Sequence, residues 1–172
     1  FAASDGSLSS GQLTLRNSQL VDVMNAVAVR HAPRPTYIEK NVFIRSPGIS
    51  VFMIGGKATE WPHDAKVYIR NNVFYEQPTS YGPAVRLDLS YVGDVVLRYN
   101  SFLSTDRVAL YSTTAADARE NFWNTLFEEE IEAMINDRFP GTGGTQYKPF
   151  LTAPHPDTPE LPTVVPAPRY NW

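Results

Sequence analysis

Two short segments hold side chains able to move protons or grip a ligand. At 60–64 the chain reads Glu60-Trp61-Pro62-His63-Asp64. A histidine beside a carboxylate can serve in proton transfer. It needs a base within hydrogen-bond reach and a cation to neutralise the charge that develops. Lys57, Lys66, Arg70 and Arg86 are candidate cations. No catalytic residue is assigned from the sequence, and His63 and Asp64 are the alternative pair if the chain is an enzyme; a Trp-Pro turn in a long insertion is the plainer reading. The second segment, A-V-R-L-D-L-S at 84–90, alternates cleanly. Val85, Leu87 and Leu89 point inward, so Arg86, Asp88 and Ser90 point out. In V-A-L-Y at 108–111, Val108 and Leu110 fall inside and Tyr111 outside, near the same row. Phe52 is exposed if Val51 and Met53 face in. Aromatic rings beside charged donors suit sugar recognition, which makes Arg86, Asp88, Tyr111 and Trp61 the candidate binding residues. The plainer alternative is a solvated face with an isolated Arg–Asp pair.

Other chemistries find little support. There is no G-x-S-x-G, no H-E-x-x-H and no phosphate-loop motif. Gly141-Thr142-Gly143-Gly144 lacks the Lys-Ser/Thr that would follow in such a loop and reads as a turn. His31, His63 and His155 lie far apart, and the chain has no cysteine, so no metal site and no cofactor is expected. Glycoside hydrolysis needs two carboxylates close together; Asp88, Asp94 and Asp106 are scattered. The net charge of −3, without a basic stripe, argues against nucleic acid. No apolar run is long enough to span a bilayer.

The elements that must carry these residues announce themselves as a repeat. The chain reads T-Y-I-E-K-N-V-F at 36–43, V-Y-I-R-N-N-V-F at 67–74 and V-V-L-R-Y-N-S-F at 95–102. Each copy sets an aliphatic residue three positions before Asn and Phe two after it: Ile38/Asn41/Phe43, Ile69/Asn72/Phe74 and Leu97/Asn100/Phe102. Asn121 and Trp123 stand in the same relation, and Asn17 could begin an earlier, imperfect copy with Gln19 at the Phe position. Between the phrases lie short apolar runs at 26–29, 49–54, 84–89 and 108–111, bounded by Gly, Pro and Ser. A recurrent phrase with variable spacing points to stacked repeats with loops inserted between them. Stacked repeats would place Asn41, Asn72 and Asn100 over one another as an inward amide ladder, with Phe43, Phe74 and Phe102 as a ring ladder.

The two ends read differently. Residues 125–137 fit a helix, with a capping box from Thr125 to Glu128 and an apolar stripe of Phe127, Ile131, Met134 and Ile135. Laid across the open end of a stack, it would cover core and strand edges. Seven of the fourteen prolines lie in residues 148–172, which read as an extended tail ending in Tyr170 and Trp172. Residues 1–11 offer no such cover. The first layer is therefore expected to meet further layers or another protein chain. The chain begins with Phe1 and reads as a processed or truncated product.

The phrases, N-F-W-N-T at 121–125, the acidic helix and Y-K-P-F-L-T-A-P-H-P-D-T-P at 147–159 together resemble the C-terminal end of secreted right-handed parallel β-helix proteins of the pectate-lyase-like and NosD-like kind. The resemblance covers roughly residues 13–160. It implies an extracellular or envelope setting and leaves activity open, because such proteins include lyases, hydrolases, epimerases, adhesins and modules without a known reaction. Residues 60–64 are similar to the D-P-H-D/E motif of alginate-type uronate epimerases; His63 and Asp64 match it and Trp61 replaces its first Asp. The polygalacturonase-like motifs are absent. The expectation is an all-β chain: a lead-in over 1–12, parallel β-helix coils over 13–124, a capping helix and turn over 125–147, and a Pro-rich tail over 148–172. Its expected role is a non-catalytic extracellular scaffold for assembly or adhesion, in contact with protein and polysaccharide. The alternative is a polysaccharide-modifying enzyme or a C-terminal remnant of one.

Overall fold

The eight-residue phrases fold as pairs of short strands around a sharp corner. The computed structural model describes residues 2–3, 13–23, 26–30, 35–46, 48–53, 66–77, 82–89, 94–104, 108–113, 116–137 and 144–168. In each phrase the residue before the buried Asn takes left-handed backbone: Lys40, Asn71, Tyr99 and Glu120 have φ of 56°, 55°, 59° and 58°. That turns the chain abruptly and aims the following amide into the interior.

Among the described residues there are fourteen strands and one helix. The strands are β1 (Ala2–Ala3), β2 (Thr14–Arg16), β3 (Gln19–Val21), β4 (Val27–Arg30), β5 (Thr36–Glu39), β6 (Val42–Ile44), β7 (Ile49–Met53), β8 (Lys66–Arg70), β9 (Val73–Tyr75), β10 (Val85–Leu89), β11 (Asp94–Arg98), β12 (Ser101–Phe102), β13 (Leu110–Ser112) and β14 (Ile135–Asp137); the helix is α1 (Glu128–Met134). The described pairings are parallel, and three sheets result. The first runs β1-β4-β7-β10-β13-β14, the second β11-β8-β5-β2 and the third β12-β9-β6-β3. Single bridges extend the second sheet through Asp117 to Gln146 and the third through Phe122 to Leu151. Each successive strand of the first sheet is thus followed by a partner in the second and then the third, giving six layers. The chain is all-β with parallel sheets and one helix.

Inward residues from neighbouring layers meet like on like. Ile38, Ile69 and Leu97 are fully buried, as are Val85, Leu87 and Leu110. Phe43, Phe74, Phe102 and Trp123 form a continuous stack with centroid separations of 5.0, 5.1 and 4.7 Å. These are close to the natural spacing of hydrogen-bonded strands, so register alone brings the rings into contact. The amides obey the same geometry. The backbone N–H and side-chain NH2 of Asn41 both donate to Asn72 Oδ1 at 3.0 Å; Asn72 does the same to Asn100, and Asn100 to Asn121. Each NH2 also donates backward to a carbonyl: Leu15, Ile38, Ile69 and Leu97 in turn. Burial of four polar side chains is tolerable because their donors and acceptors find partners.

Several expectations need correction. In the first layer Ser18, not Asn17, meets the ladder, through its N–H to Asn41 Oδ1, and Leu20 pairs with Phe43. Asn17 is the left-handed corner residue, with φ 51°. The imperfect match at Gln19 is a one-residue offset. Val108 is exposed, and Ala109 and Leu110 take the interior. The helix spans 128–134 rather than 125–137, because Ile135–Asp137 pair with β13 as a strand. The capping box does not form: Phe127 is the N-cap residue, and the Thr125 hydroxyl contacts the Phe127 N–H and Glu130. Phe127 is 66% exposed, leaving Ile131 and Met134 as the buried stripe. A strand inside the proposed helix is a tertiary override, since ladder bonds to β13 satisfy backbone groups that another helical turn would leave at an end.

The tail folds back over the body. Leu161 and Val165 pack on the outer side of the third sheet, against Val42, Ile44 and Val73, with Val21, Tyr75 and Leu103 beside them. Tyr170 and Trp172 lie outside the described residues.

Candidate functional site

The first sheet presents the polar face read from A-V-R-L-D-L. Parallel pairing sets Arg86 directly beside Tyr111. The Arg86 guanidinium lies 5.2 Å from the Tyr111 ring centre, and its Nη2 donates to Asp88 Oδ2 at 2.8 Å. The Thr113 hydroxyl reaches Leu87 O at 3.3 Å and Asp88 Oδ1 at 3.4 Å. The structure brings Arg86, Asp88 and Tyr111 together on this face. Arg86 and Asp88 are about four-tenths exposed, so their pairing gives little stability and leaves both heads accessible to a polar ligand. Trp61, His63 and Asp64 lie outside the described residues, as does His31.

The second sheet carries a face that the motif search passed over. Tyr37 and Tyr68 stack in parallel at 5.1 Å, with Arg16 over the first ring and Arg70 over the second at 5.5 and 4.8 Å. Glu39 stands between the arginines, 2.8 Å from Arg16 and 2.5 Å from Arg70. The signal was present in T-Y-I-E and V-Y-I-R, where Tyr precedes the inward Ile in both. Further along, Asp117 is gripped by Arg119 at 2.8 Å and by Arg98 at 2.5 Å, while Arg98 also reaches Glu120 at 3.0 Å. The Arg119 guanidinium, then that of Arg98, holds the Asp117 carboxyl well below the usual carboxylate range against the opposing effect of partial burial.

No family model, no curated protein and no solved structure matches this chain. Function must therefore be argued from side-chain geometry.

A third charged row lies at the corner after the third sheet. Arg45 is buried between Asp22 and Glu76, at 2.7 and 2.8 Å. Its proton affinity is raised first by the hydrogen bond to Asp22, with burial opposing. All three residues have left-handed backbone, so identical corners bring them into one column. Arg16, Arg70, Arg45 and Arg98 find carboxylates one layer away, whereas Arg119 and Arg86 pair within their own layer, with Asp117 and Asp88. Among the described residues no group of three or more His, Asp and Glu side chains is arranged to hold a metal ion, and no helix is long and apolar enough to cross a membrane.

Proposed function

We propose that the chain is a non-catalytic scaffold module, built as a short right-handed parallel β-helix, that works in an extracellular or envelope setting and contacts polysaccharide through the outer face of its first sheet. The three-sheet topology and the coincident amide and ring ladders support the architecture. The observation that carries the role is the use of charge: Arg16–Glu39–Arg70, Asp22–Arg45–Glu76 and the pairs of Arg98 with Asp117 and Glu120 tie one layer to the next, while Arg119 holds Asp117 within its own layer. A group locked in such a pairing is a poor proton shuttle and a good strut. Arg86, Asp88 and Tyr111 supply donors, an acceptor and a ring on one sheet face, a combination suited to holding hydroxylated chains. At the other end of the stack, β2 and β3 are edge strands among the described residues, and Leu15 and Leu20 are only partly buried. An edge of this kind favours another protein chain or additional layers as its neighbour.

Affinity electrophoresis of the chain against neutral and acidic polysaccharides tests the reading. The native chain is expected to be retarded by at least one of them, R86A/Y111A to migrate freely, and the polysaccharide to keep its length and its uronate composition. New reducing ends, unsaturated sugars or epimerised residues would replace the scaffold reading with an enzymatic one. Equal retardation of native and variant chains would remove the proposed face.

A further inference from the structure

The tail is fixed at both ends by different chemistry. At its far end Arg45 Nη2 donates to the Pro166 carbonyl at 2.7 Å. At its near end His155 sits against Tyr99, ring centres 4.5 Å apart. Its Nδ1 accepts the backbone N–H of Asp157 at 3.1 Å and faces the side-chain NH2 of Asn71 at 3.3 Å. Thr158 completes the turn: its N–H donates to the His155 carbonyl at 2.9 Å, and its hydroxyl donates to the Tyr99 carbonyl at 2.7 Å.

This arrangement requires the neutral ring with its hydrogen on Nε2. Adding a proton to Nδ1 sets a donor against two donors. The Asn71 amide can turn and offer its oxygen instead. The Asp157 backbone N–H cannot, so that bond is lost. Asp157 carries a charge two residues from the ring, and the Lys40 ammonium lies 3.9 Å from that carboxylate. Lys40 is 47% and Asp157 68% exposed, so solvent screens their pull on the ring, and they oppose each other. Tyr99 presents its ring to the imidazole. Beneath the strap lies the apolar outer row of Val42, Ile44 and Val73, which Leu161 and Val165 cover.

We propose that residues 155–166 form a proton-sensitive strap: neutral His155 latches the tail over the apolar outer row of the third sheet, and protonation of its ring loosens the latch and uncovers that row. The proposal is independent of any polysaccharide contact.

Hydrogen exchange of the full chain between pH 8 and pH 5, corrected for intrinsic rates, tests it. Protection of the Asp157 and Thr158 amides, both bonded to His155, is expected to fall by about tenfold on acidification, the size of one lost hydrogen bond. Amides of β8 and β11 should hold their protection. In H155N the side-chain oxygen can still accept the N–H two residues on without titrating; its tail protection is expected to stay flat. D157N keeps the backbone donor and should respond as the native chain does. A flat native profile, an undiminished response in H155N, or loss of the response in D157N would each overturn the strap; should H155N fail to fold, the native and D157N profiles still decide.

Discussion

Asn72 illustrates how a single side chain can be structural for reasons that look functional. Its amide accepts two hydrogens from Asn41 and donates to Asn100 and to Ile38 O, all within the core. N72A would strand the Asn41 N–H and leave a small void, at a cost of about 2–4 kcal/mol. N124A, which removes an exposed donor to Leu103 O at 3.3 Å from a residue in left-handed backbone (φ 56°), should cost about 1 kcal/mol. Urea unfolding of the two variants checks the contrast; similar midpoints would mean the ladder is incidental. The ladder was legible because each copy of the phrase repeats Asn and Phe at one offset. The Asn71–His155 contact was not, because the partners lie 84 residues apart and share no motif. The Arg45 column was equally hidden: Asp22, Arg45 and Glu76 differ in type and are united only by their left-handed corners.

At the scale of elements, corners and strand pairs decide what the sequence can express. Gly48 precedes β7 where the chain enters the first sheet. A Cβ there would stand 2.3 Å from Ala84 O and 2.8 Å from the Phe74 ring, so G48A must displace backbone or a stacked ring. We expect about 1–3 kcal/mol of destabilisation, or more if the ring stack shifts. At Gly82 a Cβ meets open space, and only the φ of 98° opposes it, so G82A should cost about 1 kcal/mol. Thermal unfolding of both variants would reveal the order, and a reversed order would contradict the close approach of neighbouring layers. The second sheet supplies an electrostatic counterpart through Asp117. Its carboxyl is held below the ordinary range in the folded chain. The linked stability is therefore present above the unfolded-state value of about 4 and disappears as pH falls through the folded value. D117N should be less stable than the native chain at pH 6, with the gap narrowing below pH 4. A gap that is constant with pH in urea titrations would show that the ion pairs contribute nothing beyond packing. The strand pairs also explain the misread helix. A 3.6-residue stripe is visible in the sequence of 127–135, but the pairing of Ile135–Asp137 with β13 is a non-local bond that no local pattern records.

For the whole molecule, each layer touches chiefly its neighbours, so stability should resemble a sum of layer terms and interface terms. The interfaces are unequal. Ile38, Ile69 and Leu97 are fully buried between layers, and Phe74 has an aromatic ring on each side. The first layer has Ser18 at the amide position and Leu20 at the ring position, and its β2 and β3 have a partner on one side only among the described residues. At the opposite end Phe150 lies beside Asn121 in the pairing, flanked by the Phe122–Leu151 bridge, so the amide ladder stops there as well. Tyr147 and Lys148 fasten that end to α1, through Glu132 at 2.6 Å and Glu128 at 2.5 Å. Fraying should therefore begin at the first layer, and the middle should open only with global unfolding. Native-state hydrogen exchange in low denaturant gives the order directly. Amides of β8 and β11 should exchange with the global free energy, those of β2 and β3 several-fold to a hundredfold faster, about 1–3 kcal/mol below it. Substituting the half-buried Leu20 by Phe would extend the ring stack by one member and should slow β3 exchange selectively, provided the end layer has room for the ring. Uniform protection across all layers would mean that the stack opens as one cooperative unit, and the layer-by-layer picture would fail.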